Sequence, residues 1–449
     1  MRFAWSSVRN VAPTLLWALL VSITLPIASA AGANSNHVII ISLDGLRPEF
    51  YLAPEFAKNC DTLTALRDRG SYAKGALPAY PSMTYPGHTT IATGVSVARH
   101  GITANNVIDP PKGDGRGFWY ARDLQTPALW DVAHAAGLTV GSVSWPCNAD
   151  SKAIDWNIPE FWTTGLGKET DLMRRSATPG LLDAIEKQAG ALTAERLSAD
   201  RDSFLAACAI YILREHKPNL MFVHLLETDK VQHKGGRETA ELPAALRRLD
   251  GHVKAFLEAA NAAGIAERTT FIVVGDHGFA DVSRTIAPNW LLAKEGFLGE
   301  TNWTAMVMNT GGSAGVYLKD QTDAATAKAV RALLEENADG LYRIIEKNQL
   351  VKLGGPRNAT FYLEAEPGYM FSGSKTGDAL VRSAPIKGNH GCLPTNAQMY
   401  TGFIASGRGI KNGVLLDTVR LVDVAPTVAQ LLGLRLDNVD GRVLNEILE

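Results

Sequence analysis

Four stretches of this 449-residue chain set cation-binding side chains at or near the ends of apolar runs or between glycines. Asp44 closes His37–Leu43 (HVIIISL), and Asp276-His277 close Thr270–Gly275 (TFIVVG). Asp229 stands three residues beyond the run Leu220–Leu226, and His233 follows four residues later, a spacing that puts both on one side of a helical turn. His390 lies in Gly388-Asn389-His390-Gly391. Carboxylates and imidazoles are the oxygen and nitrogen ligands that zinc accepts. Singly, each has an ordinary explanation: a turn or helix cap at Asp44-Gly45, a surface contact for Asp229 and His233, a turn at His390. No one of these explains all four placements. A fifth stretch, Tyr80–Thr90 (YPSMTYPGHTT), is crowded with hydroxyls. Pro86-Gly87 favours a turn beside Thr84, and a helix-like Thr89–Thr93 follows. A hydroxyl at the amino end of a helix faces unpaired N–H groups and the positive end of the dipole, where an anion is stabilised.

Strands and helices in alternation must position these groups. His37–Leu43, Leu138–Trp145, Leu220–Leu226 and Thr270–Gly275 are continuous apolar runs, the pattern of parallel strands covered on both faces. Helical patterns occupy Asp61–Asp68, Pro127–Ala136, Ser203–Glu215, Glu238–Ala263, Asp323–Glu336 and Asp423–Leu432. The alternation predicts an α/β sandwich around a mainly parallel sheet, in which ligands gather at the carboxyl ends of strands. Two regions depart from the rhythm. Residues 148–199, with Trp156, Phe161 and Trp162, read as a substrate-side excursion, and 289–387 as a smaller cap or insert within a catalytic domain spanning 31–449.

Composition bounds the partners. Charged residues make up 20% of the chain and hydrophobic ones 46%, as in globular proteins. Lys and Arg number 44 against 46 Asp and Glu, so no basic excess favours a nucleic-acid duplex, and the expected partner is a small phosphorylated molecule. Residues 1–30 read as an export signal: Arg2 and Arg9, an apolar Val11–Ile27, then Ala28-Ser29-Ala30. No later run is apolar enough to span a bilayer, so the expectation is a periplasmic or secreted protein. Cys60, Cys147, Cys208 and Cys392 allow three pairings and the spacing selects none.

Taken together, Asp44, Thr84 in TYPGH, Asn105 in HGITANN, Asp229 and His233 in DxxxH, Asp276-His277 in GDHG and His390 in GNHG resemble the alkaline phosphatase superfamily, and within it the nucleotide pyrophosphatase/phosphodiesterase branch. The resemblance runs from about residue 37 to the LVDVAPTVAQLLG segment and implies an alkaline-phosphatase-like three-layer sandwich. It implies two zinc ions per chain, one held by Asp44, Thr84, Asp276 and His277, the other by Asp229, His233 and His390. Thr84 would be the nucleophile, forming a phosphothreonine that water hydrolyses, and Asn105 would hydrogen-bond a phosphoryl oxygen. The frame around residue 84 lacks the Arg and the convertible Cys or Ser of sulfatases. Asn105, a neutral donor, suits the single charge of a diester better than the dianion of a monoester. Two departures stand out. The branch's TFPNH is TYPGH here, with Tyr85 as the candidate for stacking on a base, and the aromatic five residues before the Asp of DxxxH is His224, read as a strand residue. The segment TDKVQH also resembles phosphonoacetate hydrolase, so a phosphonate or a monoester is the alternative substrate; a zinc-binding protein without catalysis is the remaining one.

Overall fold

The computed structural model describes residues 36–108, 114–163 and 166–449, and the export signal expected over 1–30 lies outside them. Eight strands form the main sheet: β1 (His37–Leu43), β2 (Ser71–Ala73), β3 (Val140–Val143), β4 (Trp156–Ile158), β5 (Leu220–Leu225), β6 (Thr269–Val274), β7 (Phe403–Gly407) and β8 (Val414–Leu416). Their order is β8-β2-β7-β6-β1-β5-β3-β4. Pairing is parallel except where β7 lies antiparallel to β6 and β2, so the sheet is mainly parallel as the apolar runs predict.

Every residue of β1 is buried, and its side chains alternate between two cores. Ile39, Ile41 and Leu43 pack with Leu63, Phe204, Leu205 and Leu249, which belong to helices α1 (Asp61–Asp68), α4 (Ala194–Glu215) and α6 (Leu242–Ala262). Val38 and Ile40 pack on the other face with Ile91, Trp130 and Val428 from α2 (Thr84–Thr93), α3 (Leu129–Ala135) and α7 (Val424–Leu431). One helix, α5 (Glu227–Gly235), runs directly out of β5. The result is three layers, helix on sheet on helix, each buried aliphatic side chain contributing roughly 1.5–3 kcal/mol. The predicted start of α4 at Ser203 falls inside the observed helix. Thr193 caps its first turn by accepting from Arg196 N–H, and the chain breaks helical geometry at Asp200 (φ −154°, ψ 75°), whose carboxylate then accepts from Ser203 N–H. The apolar periodicity reports the second segment alone.

Residues 305–365 build a second, antiparallel sheet in the order Ala305–Asn309, Ser313–Leu318, Phe361–Ala365, Tyr342–Ile345. Its core, with Val307, Val316, Val330, Leu334 and Phe361, is separate from the other two. Glu364 is the exception among these apolar side chains. It is 5% exposed, accepts from Leu393 N–H at 2.7 Å, and burial pushes its carboxyl up to about 8. Between the ordinary 4.5 and 8 the folded chain keeps a proton that the unfolded chain has released. That contribution to stability is complete at low pH and is lost as pH rises through the window. Glu364→Gln is expected to flatten this slope and to raise the melting temperature at pH 8 by about 2–4 °C, which thermal melts at pH 5 and pH 8 would check.

Candidate metal-binding active site

Three adjacent strands, β6, β1 and β5, deliver the candidate ligands at their carboxyl ends. Asp44 follows β1, Asp276 and His277 follow β6, and α5, which leaves β5, carries Asp229 and His233. Thr84 is the first residue of α2, after Met83 in extended geometry (φ −125°, ψ 160°). The helix therefore starts five residues earlier than predicted. Pro86, read as a turn signal, occupies the first helical turn, where its missing N–H costs nothing. Gly87, which departs from the branch pattern, has a steric reason: a Cβ there would lie 2.9 Å from the Asp276 carbonyl oxygen. His390 arrives on the short strand Gly388–Asn389, which pairs with Ala280 and Asp281.

Each imidazole is oriented by the same device. Nδ1–H donates to a backbone carbonyl: Gly388 for His233 (2.9 Å), Gly278 for His277 (3.0 Å), Ser82 for His390 (3.0 Å). The Nε2 atoms then face the carboxylates. His277 Nε2 lies 3.4 Å from Asp44 Oδ1, 3.2 Å from Asp276 Oδ2 and 3.4 Å from Thr84 Oγ1. His233 Nε2 and His390 Nε2 lie 3.2 Å and 3.7 Å from Asp229 Oδ1. The His277 and His390 rings stack with centroids 3.6 Å apart. The acids are divided in the same way. Asp276 Oδ1 accepts from the Gly45 and His277 N–H groups and Asp44 Oδ2 faces His224, while Asp276 Oδ2, Asp44 Oδ1 and Asp229 Oδ1 are buried without a hydrogen bond.

The electrostatics follow from this crowding. Burial, reinforced by the charges of Asp276 and Asp229, pushes the Asp44 carboxyl well above its usual range. Burial lowers His277 to about 4 and His390 well below the ordinary histidine value, so both keep a free lone pair at neutral pH. At Asp229 burial is outweighed by the facing charge of His233, which holds the carboxyl low.

The donor set fits divalent cations. Two groups, Asp44/Asp276/His277 and Asp229/His277/His390, each bring ligand atoms within 4.8 Å of one another. Orphaned buried carboxylate oxygens and imidazoles fixed by carbonyl acceptors are what such an ion requires. His277 belongs to both groups.

Asn105 accepts from Tyr85 N–H through Oδ1 at 3.0 Å, which leaves its Nδ2 as the donor. Tyr85 itself does not offer the stacking surface expected of it. The ring is 3% exposed and packs on Ile102 and Cys147, with Phe118 and Trp119 against the same cluster. His88 donates Nδ1–H to the Thr84 carbonyl at 2.8 Å, and His100 Nε2 contacts Thr90 Oγ1 at 3.1 Å, so both brace α2. Burial lowers each to about 3.

His224 is on β5, as expected, yet does more than fill a strand. Its Nε2 lies 3.1 Å from Asp44 Oδ2 and its Nδ1 2.9 Å from Glu160 Oε2. Although burial opposes it, the charges of Glu160 and Asp44 raise the imidazole well above its usual value. Glu160 is the residue that sequence reasoning missed. It stands 64 residues from His224, in a segment without periodicity, and only the tertiary fold brings the two together.

The loop bearing His390 is held by the second sheet. Gly312 N–H donates to the His390 carbonyl at 2.7 Å and Ser313 Oγ to the Gly391 carbonyl at 2.6 Å. A Cβ on Gly391 would fall 1.6 Å from the Thr310 carbonyl oxygen.

Sheet and layers define an alkaline-phosphatase-like α/β protein. The chain belongs to the type I phosphodiesterase / nucleotide pyrophosphatase family, whose profile it matches over residues 38–393. It is 23% identical over 436 residues to human ectonucleotide pyrophosphatase/phosphodiesterase family member 1, covering 90% of this chain and 40% of that protein. An uncharacterized pyrophosphatase/phosphodiesterase of Schizosaccharomyces pombe is 26% identical over 274 residues, covering 58% and 50%. The chain thus spans half or less of the length of these curated relatives. Murine ectonucleotide pyrophosphatase/phosphodiesterase 5 has the same fold, with a TM-score of 0.68 at 20% identity over 92% of this chain and 100% of that one. That protein has also been solved in an inactive form in complex with AMP. Among the described residues no helix is long and apolar enough to cross a membrane.

Proposed function

We propose that this protein hydrolyses phosphodiester bonds, with Thr84 as the nucleophile and two divalent cations, zinc by the donor set, at Asp44/Thr84/Asp276/His277 and Asp229/His233/His390. The observation that carries this reading is the convergence of Thr84 Oγ1 and His277 Nε2, 3.4 Å apart, at the centre of a buried carboxylate and imidazole cluster. When bound, the cations would lower the pKa of the threonine hydroxyl and stabilise charge on the attacking and departing oxygens. The chain's own groups do the rest. α2 presents Thr84 at its amino end, where the positive end of the helix dipole favours a phosphoryl oxygen. Asn105 Nδ2, fixed by the bond of its partner oxygen to Tyr85 N–H, donates to a non-bridging oxygen. Attack by Thr84 Oγ forms its bond to phosphorus as the ester oxygen leaves with the bonding pair. Water then cleaves the phosphothreonine, and the threonine proton is returned from solvent. Residues 289–387 act as a cap on this centre, and the protein works after export, outside the cytoplasm.

The test sets bis-(4-nitrophenyl) phosphate, a nitrophenyl nucleotide diester, 4-nitrophenyl phosphate and phosphonoacetate side by side. A higher kcat/KM for the diesters is expected; preference for the monoester or the phosphonate would overturn the reading. Asn105→Ala is expected to lower diester kcat/KM about 100-fold with metal content unchanged by elemental analysis. Metal loss matching the drop in rate would show that Asn105 supports the cluster and not the phosphoryl group.

A further inference from the structure

Beside Asp229 lies a cavity of about 520 Å³, and its walls speak to the group that departs. Contacts in the cluster run from Thr84 to His277, His390 and Asp229. Asp229 is the cluster residue that also lines the cavity, and a group displaced in line would leave on the side away from Thr84. Trp162 lines the cavity and is 58% exposed, whereas Trp130 and Trp145, packed against the sheet, are fully buried. Its indole is fixed in place: the guanidinium of Arg201 lies 5.0 Å over the ring and is itself paired with the buried Glu169. Of the other cations in the wall, Lys234 pairs with Glu241 and Arg248 with Glu227. Lys230, next to Asp229, has no carboxylate partner among the described residues, and its Nζ is 3.5 Å from the Ser198 carbonyl. An ordered aromatic face and a lysine outside any ion pair thus share a cavity with a candidate metal ligand, in a wall that also carries Asp200 and Asp202. The packed Tyr85 offers no such surface.

We propose that this cavity is the leaving-group subsite and that it selects an aryl or heteroaryl alcohol carrying an anionic substituent, with the ring on Trp162 and the anion at Lys230. The proposal rests on the phosphodiesterase reading for its chemistry: the bond from phosphorus to the aryl oxygen breaks, and the aryloxide leaves with the bonding pair. Binding, however, can be read without turnover.

Two diesters, methyl phenyl phosphate and methyl 4-carboxyphenyl phosphate, are compared on the full-length metal-loaded protein, with dimethyl phosphate as the control lacking a ring. Lys230→Gln is expected to cut kcat/KM about fivefold for the carboxylated substrate and to leave the phenyl ester within twofold. Trp162→Ala is expected to weaken both aryl esters about five- to tenfold and to spare dimethyl phosphate. Equal losses for all substrates, or none, would overturn the proposal. Calorimetric titration of the Thr84→Ala protein with methyl 4-carboxyphenyl phosphate is the second readout. Affinity that falls with Lys230→Gln and with Trp162→Ala upholds the subsite even if no diester is turned over, in which case only the reaction has been misassigned. Affinity indifferent to both substitutions refutes the subsite.

Discussion

Thr84→Ala is expected to lower diester turnover by about 10³-fold or more while the protein keeps its metal. The hydroxyl is the one group in the cluster placed to attack phosphorus, and it sits at a helix start that the substitution does not disturb, because Met83 caps that turn by its backbone geometry. Asp44, Asp276 and His277 remain to hold the neighbouring ion, so elemental analysis after dialysis should return unchanged stoichiometry. Rapid quenching of the unmodified protein with a labelled diester should trap label on Thr84, and the variant should trap none. Retained turnover, or label on another residue, would remove Thr84 from the mechanism.

Asp44→Asn carries the second large effect, and its two parts have opposite signs. Burial and the facing charges of Asp276 and Asp229 disfavour the Asp44 carboxylate in the metal-free chain. An acid raised in this way adds stability at low pH that is lost as pH rises. Cations reverse the balance by compensating the three carboxylates. Chelation of the unmodified protein at pH 8 is therefore expected to cost about 4 kcal/mol of stability, the linkage value for an ion present at a thousand times its dissociation constant. Metal-free Asp44→Asn should melt above metal-free unmodified protein at pH 8, yet gain little when zinc is added. Calorimetric melts with and without chelator decide it. A variant less stable than the unmodified chain in both conditions would mean that Asp44 is held by its bonds to the fold and not strained by its neighbours.

The parts of the fold that were legible in the sequence are those where one local signal suffices. β1, β5 and β6 announce themselves as continuous runs of β-branched and aliphatic residues, and the acids at their ends fall where an open sheet collects ligands. The start of α2 was hidden because Tyr-Pro-Gly reads as a turn; Pro86 in a first helical turn and a glycine pressed against Asp276 give the same letters for other reasons. An aromatic beside a nucleophile carries no sign of which face the chain covers, and Ile102 and Cys147, which cover Tyr85, are distant in sequence. The link from Glu160 through His224 to Asp44 joins segments 64 and 180 residues apart, beyond any periodicity. Lys230 and the exposed ring of Trp162 were visible as residues, but only the fold gives them a common cavity.

The grip of the second sheet on His390 sets terms for how this protein can diversify. The turn between Asn309 and Ser313 clamps the Gly391 loop from a module whose apolar core also takes in Tyr80, Ala104 and Leu393. Outer surfaces of that module are free to change, and a new specificity can be grafted there. A swap of the whole module that ignored this one hairpin would uncouple a metal ligand from its mount, so recombination between relatives should succeed only when its crossover points keep the hairpin and the histidine loop from the same parent.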